Sequence, residues 1–341
     1  ESGLEPGDIV AVRHGTTVGS NAILQKAGGR TGLVTTRGFR DVLEIGRLRT
    51  PGMFDLSWDK PEPLVPRRWR RGVSERIGAD GSVIASLDKA ELLEIGAFFQ
   101  DEGIETIAVC FLNSYRNPAH EREAEKLLRQ AYPAMAVTTS VSVLPEQREY
   151  ERTSTTVVNA YVLPVMRAYL RSLQTGLSKI GISAPLLVGN SNGGLAPAVV
   201  AQEKPVFFIS SGRAAGVVGA GHLGEWTGAR DIVAFDMGGT TASASLIRNA
   251  KVTRTTEYEF RAGVSTPSRF IKAGGYLMRV PTVDVAEIGN GAGSIASVDA
   301  AGLICVGPVS AGADQLTVVK PPNWDRITSV TSPGSVHGAG S

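Results

Sequence analysis

A pair of adjacent glycines between two apolar stretches sets the tightest local constraint on this chain. Ile232-Val233-Ala234-Phe235 leads into Asp236-Met237-Gly238-Gly239-Thr240-Thr241, and an alternating run, Ser243-Ala244-Ser245-Leu246-Ile247, follows. That order reads as strand, tight turn and strand, a β-hairpin. Glycine admits φ > 0 and lets the main chain come close to a ligand. A carboxylate such as Asp236 suits Mg²⁺, directly or through water. The N–H groups of Gly238 and Gly239 and the hydroxyls of Thr240 and Thr241 suit phosphate oxygens. The same residues also make an ordinary hairpin, so the hexapeptide alone leaves both readings open.

A length of 341 residues exceeds one typical core and implies more than one folding unit. The expected division is an amino-terminal α/β region at 1–182, a core carrying the hairpin at 183–314, and an irregular segment at 315–341. With 35 basic and 33 acidic residues, nothing in the charge points to nucleic acid or an anionic membrane. The cluster Arg67-Arg68-Trp69-Arg70-Arg71, in a stretch read as a long surface loop over 55–71, is expected to be a solvated or subunit-facing surface. Cys110 and Cys305 lie in apolar stretches and resemble buried thiols rather than a disulfide or metal framework, which suits a cytoplasmic location. No apolar run reaches membrane-spanning length and no export signal is evident. The opening Glu1-Ser2-Gly3 and the Pro/Ser/Gly-rich stretch after Asp314 suggest a fragment, or joined pieces of a longer polypeptide.

Strand-like runs fall at 9–12, 31–35, 104–112, 135–139, 186–188, 206–209 and near 255–260. Asp88 with Glu91 three residues on predicts a capped helix to about residue 100. Asn117 and Pro118 open another that Pro133 stops. A long helical region over 150–180 carries Val162, Met166, Tyr169, Leu170, Leu173 and Leu177 on one side, with a kink expected at Pro164. Strands alternating with helices predict an α/β fold.

Gly/Ser/Thr-rich turns at 14–21, 189–194, 210–216 and 236–241, with a fifth at 289–294, together suggest a polyanion held from several sides. The 210–216 turn enters a helix, whose N-terminus favours anions; Gly212 sits there, and Arg213 either adds a charged contact or is an ordinary surface arginine. His14-Gly15-Thr16-Thr17 offers an imidazole for acid, base or donor chemistry beside two hydroxyls. His120 and His222 read as structural. Asp284 and Asp314, at the edges of a strand and a small-residue turn, suit Mg²⁺ or an activated carbonyl. Neither a G-x-x-x-x-G-K-[ST] loop nor a dinucleotide fingerprint is present. H-x-x-x-H, C-x-x-C and G-x-S-x-G are absent too, so neither a protein-built transition-metal site nor a hydrolase elbow is indicated.

Taken together, HGTTVGSNAIL (14–24), GLVTTRGFRDVLEIGR (32–47), VLPEQREYERTSTTVVNAYVLPVM (143–166), AFDMGGTT (234–241), GGYLMRVPTVDVAEIGNGAGSIASVD (274–299) and VGPVSAGAD (306–314) resemble the hydantoinase A / 5-oxoprolinase / ketone carboxylase family. The stretch 261–272 is most similar to its acetophenone carboxylase branch. The resemblance implies a sugar-kinase/Hsp70/actin-like ATPase (ASKHA) fold of two subdomains. It implies ATP with Mg²⁺ or Mn²⁺ and no biotin, and a hydantoinase B-type partner subunit. It implies phosphorylation of bicarbonate and an aryl ketone to give a 3-keto acid, with the opening of a cyclic amide (hydantoin or 5-oxoproline) or a non-catalytic structural subunit as alternatives. On this reading Asp236, Gly238, Gly239, Thr240 and Thr241 hold phosphate and metal. Gly212 and Arg213 contribute at the helix start, Gly291, Gly293 and Ser294 line the nucleotide pocket, and Asp284 is a second metal ligand. His14, Thr16 and Thr17 activate or orient the phosphorylated intermediate.

Three departures stand out. The family's amino-terminal D-x-G-G-T-F-T-D hairpin is missing from this sequence. Ser243 stands where an aspartate is usual, and Ser211-Gly212-Arg213-Ala214-Ala215-Gly216 replaces S-G-P-A-G-G. A lost carboxylate weakens metal handling, and a new cation either offsets phosphate charge or fills the pocket.

Overall fold

The structure, a computed structural model, describes residues 5–47, 61–239, 241–261, 264–267, 275–288, 291–298, 302 and 304–310. It is mixed α/β. A four-stranded parallel sheet runs in the order Arg70–Val73, Thr31–Thr36, Thr106–Cys110, Ala136–Thr139. Its two central strands are buried at every position, as a parallel sheet covered on both faces must be. Leu92 and Phe99 of helix Lys89–Asp101 and Ala124 and Leu128 of helix Ala119–Ala131 pack with Leu33, Ile107 and Val109. The first helix starts as its sequence predicts, with Asp88 accepting from the Glu91 N–H at 3.0 Å; the second starts one residue later than expected, with Pro118 in the cap position and Asn117 Oδ1 accepting from the Ala119 N–H at 3.1 Å.

A second sheet pairs Val12–His14 in parallel with Leu186–Gly189, which pairs antiparallel with Leu195–Pro197. The first pairing crosses the division drawn at 182/183. The third sheet is antiparallel. Its order is Ile232–Met237, Ala242–Arg248, Ala286–Ile288, Val264–Pro267, Tyr258–Arg261, Tyr276–Met278, with Lys251–Val252 added beside Ala242–Arg248. Helix Ser211–Thr227 lies on it, with Ala214 and Val217 against Ile232, Ala234 and Ile247. That helix ends at Gly228, whose φ of 76° is the left-handed conformation glycine supplies without strain.

One helix joins these three sheets. Glu149–Lys179 is continuous through Pro164, and its residues 151–163 are all buried. Val157 and Ala160 enter the core of the parallel sheet. Val158, Tyr161 and Val162 pack with Tyr258, Phe260 and Met278 of the antiparallel sheet, and Met166 and Leu170 pack with Leu186 and Val188 of the second. Polar residues on this buried stretch are bonded in turn. The Arg152 guanidinium donates to the Phe111 carbonyl at 2.8 Å and to Ser114 Oγ. Ser154 Oγ donates to the Leu277 carbonyl at 2.7 Å. Asn159 Nδ2 donates to Thr138 Oγ1 at 3.1 Å, while its Oδ1 accepts the Val206 N–H at 3.2 Å.

Three expectations change. The strand at 9–12 is displaced to Val12–His14, where a parallel partner exists. The strand at 206–209 is a 3₁₀ turn, Pro205–Phe208. Pro205 lacks an N–H, and the Val206 N–H is taken by Asn159 rather than by a neighbouring strand. The stretch 67–71 is not a solvated loop: it is the 3₁₀ turn Arg67–Trp69 followed by an edge strand of the parallel sheet. Arg70 is only 1% exposed, donating to the Val65 carbonyl and pairing with Glu44 at 2.9 Å, while Arg30 and Arg68 stack on Trp69. Cys110 is buried, which pushes its thiol pKa up; the Cys305 side chain lies outside the described residues. Among the described residues no helix is long and apolar enough to cross a membrane.

Arg152 faces a buried carboxylate, Glu121, which accepts from the Phe111 and Val141 N–H groups and from Ser140 Oγ at 2.7–2.9 Å. Arg152→Ala removes both the cation and its hydrogen bonds, and is expected to cost about 3–5 kcal/mol of stability. Urea unfolding of the full-length protein measures this as a lowered midpoint with an unchanged slope.

Candidate functional site

The hairpin forms as its sequence predicts. Ile232–Met237 pairs with Ala242–Arg248, Asp236 stands opposite Ser243, and Gly238 N–H donates to the Thr241 carbonyl at 3.0 Å. Asp236 is exposed, and a Cβ on Gly238 would meet nothing within 4 Å, so the tip is open to approach. Thr241 is half-buried; Thr240 lies outside the described residues.

The turn at 291–294 clasps this hairpin. Ala292 N–H donates to the Gly238 carbonyl at 2.9 Å and Gly293 N–H to the Gly239 carbonyl at 2.8 Å. A Cβ on Gly291 would sit 2.4 Å from the Gly238 carbonyl oxygen and 2.6 Å from the Thr241 nitrogen, so only glycine fits. Gly291 N–H donates to Ser294 Oγ at 2.8 Å and Ser294 N–H to the Gly291 carbonyl at 3.0 Å. The structure thus commits the N–H groups of 291–294 to protein partners: this turn braces the hairpin.

Arg213, expected at an anion-binding helix start, is 5% exposed and faces the sheet. It forms an ion pair with Glu287, itself 1% exposed. Glu287 stands beside Ser243, which stands beside Asp236, so one rung of three strands carries carboxylate, hydroxyl and carboxylate with Arg213 packed against it. Burial lowers the Arg213 pKa, while the charge of Asp236 opposes that shift. Arginine remains charged under such conditions. Ser243, the departure from an aspartate, is buried and donates weakly to the Asp236 carbonyl at 3.5 Å.

The 14–17 turn meets the start of helix Ser211–Thr227 through backbone. Thr16 N–H donates to Ser211 Oγ at 2.9 Å, Ser211 Oγ donates to the Thr16 carbonyl at 3.1 Å, and Gly212 N–H reaches the same carbonyl at 3.4 Å. A Cβ on Gly15 would lie 3.0 Å from the Gly212 Cα. Gly212 therefore spends its N–H on protein. Thr16 is buried, with its Oγ1 accepting from the Val18 N–H, and Thr17 is exposed. His14 is half-buried; its Nε2 lies 2.7 Å from the Tyr169 hydroxyl, and the two rings are 5.6 Å apart. Burial lowers the His14 pKa below its ordinary value.

Two bonded assemblies result. One holds the 14–17 turn on Ser211 and Gly212; the other holds the hairpin on 291–294. Arg213 and Glu287 join them. Asp284 is buried; its N–H donates to the Thr253 carbonyl at 2.9 Å, and its own carbonyl accepts Ser245 Oγ, on the second hairpin strand, at 2.6 Å. Asp314 lies outside the described residues. Tyr169, Ser211 and Glu287 belong to these assemblies although no local pattern in the sequence assigns them to a site. The signal for Tyr169 was present but ambiguous, since it lies on the apolar side of the long helix.

No set of three or more His, Cys, Asp or Glu side chains gathers into a metal site among the described residues. A single carboxylate such as Asp236 would suit Mg²⁺ carried with a nucleotide, which needs only one or two carboxylates beside phosphates and water. Asp236 is the exposed carboxylate at the open hairpin.

Family models match most of the chain: the hydantoinase/oxoprolinase N-terminal region over residues 1–132 and hydantoinase/oxoprolinase over 152–328. An uncharacterized protein of Methanocaldococcus jannaschii is 41% identical over 88% of this chain and 45% of its own length. Caprolactamase subunit alpha of Pseudomonas jessenii is 36% identical over 92% of this chain and 44% of its own. Acetophenone carboxylase gamma subunit of Aromatoleum aromaticum is 32% identical over 89% and 42%. The chain thus spans less than half the length of these relatives. Among solved structures, nucleotide-free acetone carboxylase superposes with a TM-score of 0.76 at 26% identity, over 88% of this chain and 42% of that one.

Two outcomes test this geometry. Gly291→Ala is expected to part the clasp at a cost of about 1–3 kcal/mol, with faster amide exchange at Ala292 and Gly293. For His14, a folded pKa below the unfolded value means that protonation favours the unfolded chain. Stability is therefore full above about pH 6.5 and declines as pH falls from there through the folded pKa. His14→Asn should remove that part of the acid sensitivity, read from unfolding midpoints between pH 5 and 8.

Proposed function

This chain belongs to the hydantoinase/oxoprolinase family, and from that premise we propose that it is the phosphate-gripping portion of an ATP-dependent enzyme that activates a carbonyl oxygen by phosphorylation. The observation that carries the reading is the open hairpin tip with an exposed Asp236, braced through its own carbonyls by the 291–294 turn. Such bracing fixes donors before a ligand arrives, which is how preorganised dipoles stabilise developing charge without reorganising. The fold is that of the sugar-kinase/Hsp70/actin-like ATPases.

In this reading Asp236 holds Mg²⁺ on the phosphates. Gly238, Gly239 and Thr241 are the described tip residues that face phosphate oxygens, with Thr240 beside them in sequence. Arg213, paired with Glu287, acts as a buried charge that keeps the Asp236 rung electrically balanced and does not itself grip phosphate. Thr16 and Thr17, with His14 beside them, are assigned in this reading to orienting a phosphorylated intermediate. An amide or ketone is a poor reactant unaided. Loading its oxygen with a phosphoryl group makes an amide carbonyl electrophilic toward water, or fixes a ketone as its enol for attack on activated bicarbonate.

The greater identity to the caprolactamase subunit favours opening of a cyclic amide. ATP- and bicarbonate-dependent carboxylation of an aryl ketone is the second reading, favoured by the acetophenone carboxylase relative and by the superposition on acetone carboxylase. Both related chains are named as subunits, which supports assembly with others; the partner in this reading is a hydantoinase B-type subunit.

The purified full-length enzyme with its partner subunits should consume ATP when given a lactam. Dependence on an aryl ketone and bicarbonate, with labelled carbon fixed into a keto acid, would select the second reading instead. Asp236→Asn is expected to lower turnover by roughly 100-fold or more in either case. Unchanged turnover in that variant would leave this chain a structural subunit.

A further inference from the structure

His14 has one ring nitrogen engaged and one not. Nε2 sits 2.7 Å from the Tyr169 hydroxyl, and among the described residues no protein group bonds Nδ1. A phenol is a good donor and a poor acceptor, because its oxygen lone pair is shared with the ring. A neutral imidazole carries one strongly basic nitrogen and one N–H. The stronger pairing has the Tyr169 hydroxyl donating to Nε2, which leaves the proton of the neutral ring on Nδ1.

Tyr169 is held by packing. It lies on the long helix at a position packed against the core that includes Met166, Leu170 and Val188, and its ring lies 5.6 Å from the imidazole at an interplanar angle of 34°. His14 closes the strand Val12–His14, whose register pairs it with Val188. The two partners are therefore held by separate elements of one core, and the bond joins the long helix to the turn that carries Thr16 and Thr17.

We propose that Tyr169 is a positioning residue that fixes His14 as its neutral Nδ1–H tautomer, so that the turn offers a hydrogen-bond donor, and not a base, to an oxygen that gains negative charge during the reaction. The proposal rests on the functional reading above for its role in catalysis, and on the structure alone for the tautomer. The ligand class it implies is an anionic oxygen: the oxyanion of an attacked carbonyl or a phosphoryl oxygen. Burial that disfavours the imidazolium works in the same direction. The functional groups near the turn fit this division of labour, since Ser211 Oγ is already committed to Thr16.

The test uses the full-length protein labelled with ¹⁵N at histidine. Its four histidines are few enough to assign, with His14→Asn identifying the resonance. At pH 7.5 the His14 signals should show a protonated Nδ1 and an unprotonated Nε2. In Tyr169→Phe the ring should shift toward a mixture with the Nε2–H form, and its titration midpoint should rise toward the ordinary histidine value. Turnover should fall about five- to tenfold, the loss expected of one hydrogen bond, in kcat more than in KM. An Nε2–H tautomer in the unaltered protein, or a tautomer and titration indifferent to Tyr169→Phe, would overturn the assignment. Absence of any ATP turnover in the unaltered enzyme would instead overturn the functional reading, and the spectra would still decide the role of Tyr169.

Discussion

Complete burial of a polar helix segment is the constraint on which the rest of the molecule depends. Residues 151–163 carry an arginine, a glutamate, an asparagine and a run of hydroxyls into the interior. Each unsatisfied group there would cost about 1–3 kcal/mol. The bonds that avoid this cost reach different sheets: Arg152 to Phe111 and Ser114 after a parallel strand, Ser154 to Leu277 in the antiparallel sheet, Asn159 to Thr138 and Val206. At the helix start, Glu151 and Glu257 share Arg47, which ties the segment to the chain leading into the antiparallel sheet. Apolar packing alone would let sheets slide on a greasy cylinder. These directional bonds fix where each one stops.

From that fixed frame the candidate site follows. Tyr169, further along the same helix, reaches His14, and the His14 turn in turn rests on Ser211 and Gly212. Arg213, the next residue, pairs with Glu287 under the hairpin. The path from helix to hairpin consists of hydrogen bonds and one buried ion pair, with glycines at the two places where backbones nearly touch, Gly15 against Gly212 and Gly291 against Gly238. A buried ion pair of this kind is costly to break from one side, because the partner is left charged in a dry setting.

Local patterns in the sequence revealed those parts that local chemistry decides. Adjacent glycines between apolar runs identified the hairpin, and Asp88 and Asn117 identified two helix starts. The long helix was legible from its apolar spacing. Parts decided by distant partners were not legible. Val206–Phe208 looks like a strand until Pro205 and the side chain of Asn159 are considered together. Arg70 looks like one of a solvated basic cluster, yet Glu44 and the Val65 carbonyl draw it inside. The glycines of 289–294 suggested room for a ligand, whereas Gly291 is small because the hairpin carbonyl occupies that space. Arg213 looked like a surface cation at a helix start; its partner Glu287 is distant in sequence, and only the sheet register brings it near.

Amide hydrogen exchange on the full-length protein, with and without a non-hydrolysable ATP analogue and Mg²⁺, tests the central claim most directly. The account predicts added protection concentrated at 236–241, extending to 14–17 and the start of helix Ser211–Thr227 through the backbone contacts that join them. Little change at 291–294 is expected, since those N–H groups are already bonded to protein. Nucleotide-dependent protection elsewhere, with 236–241 unaffected, would contradict it.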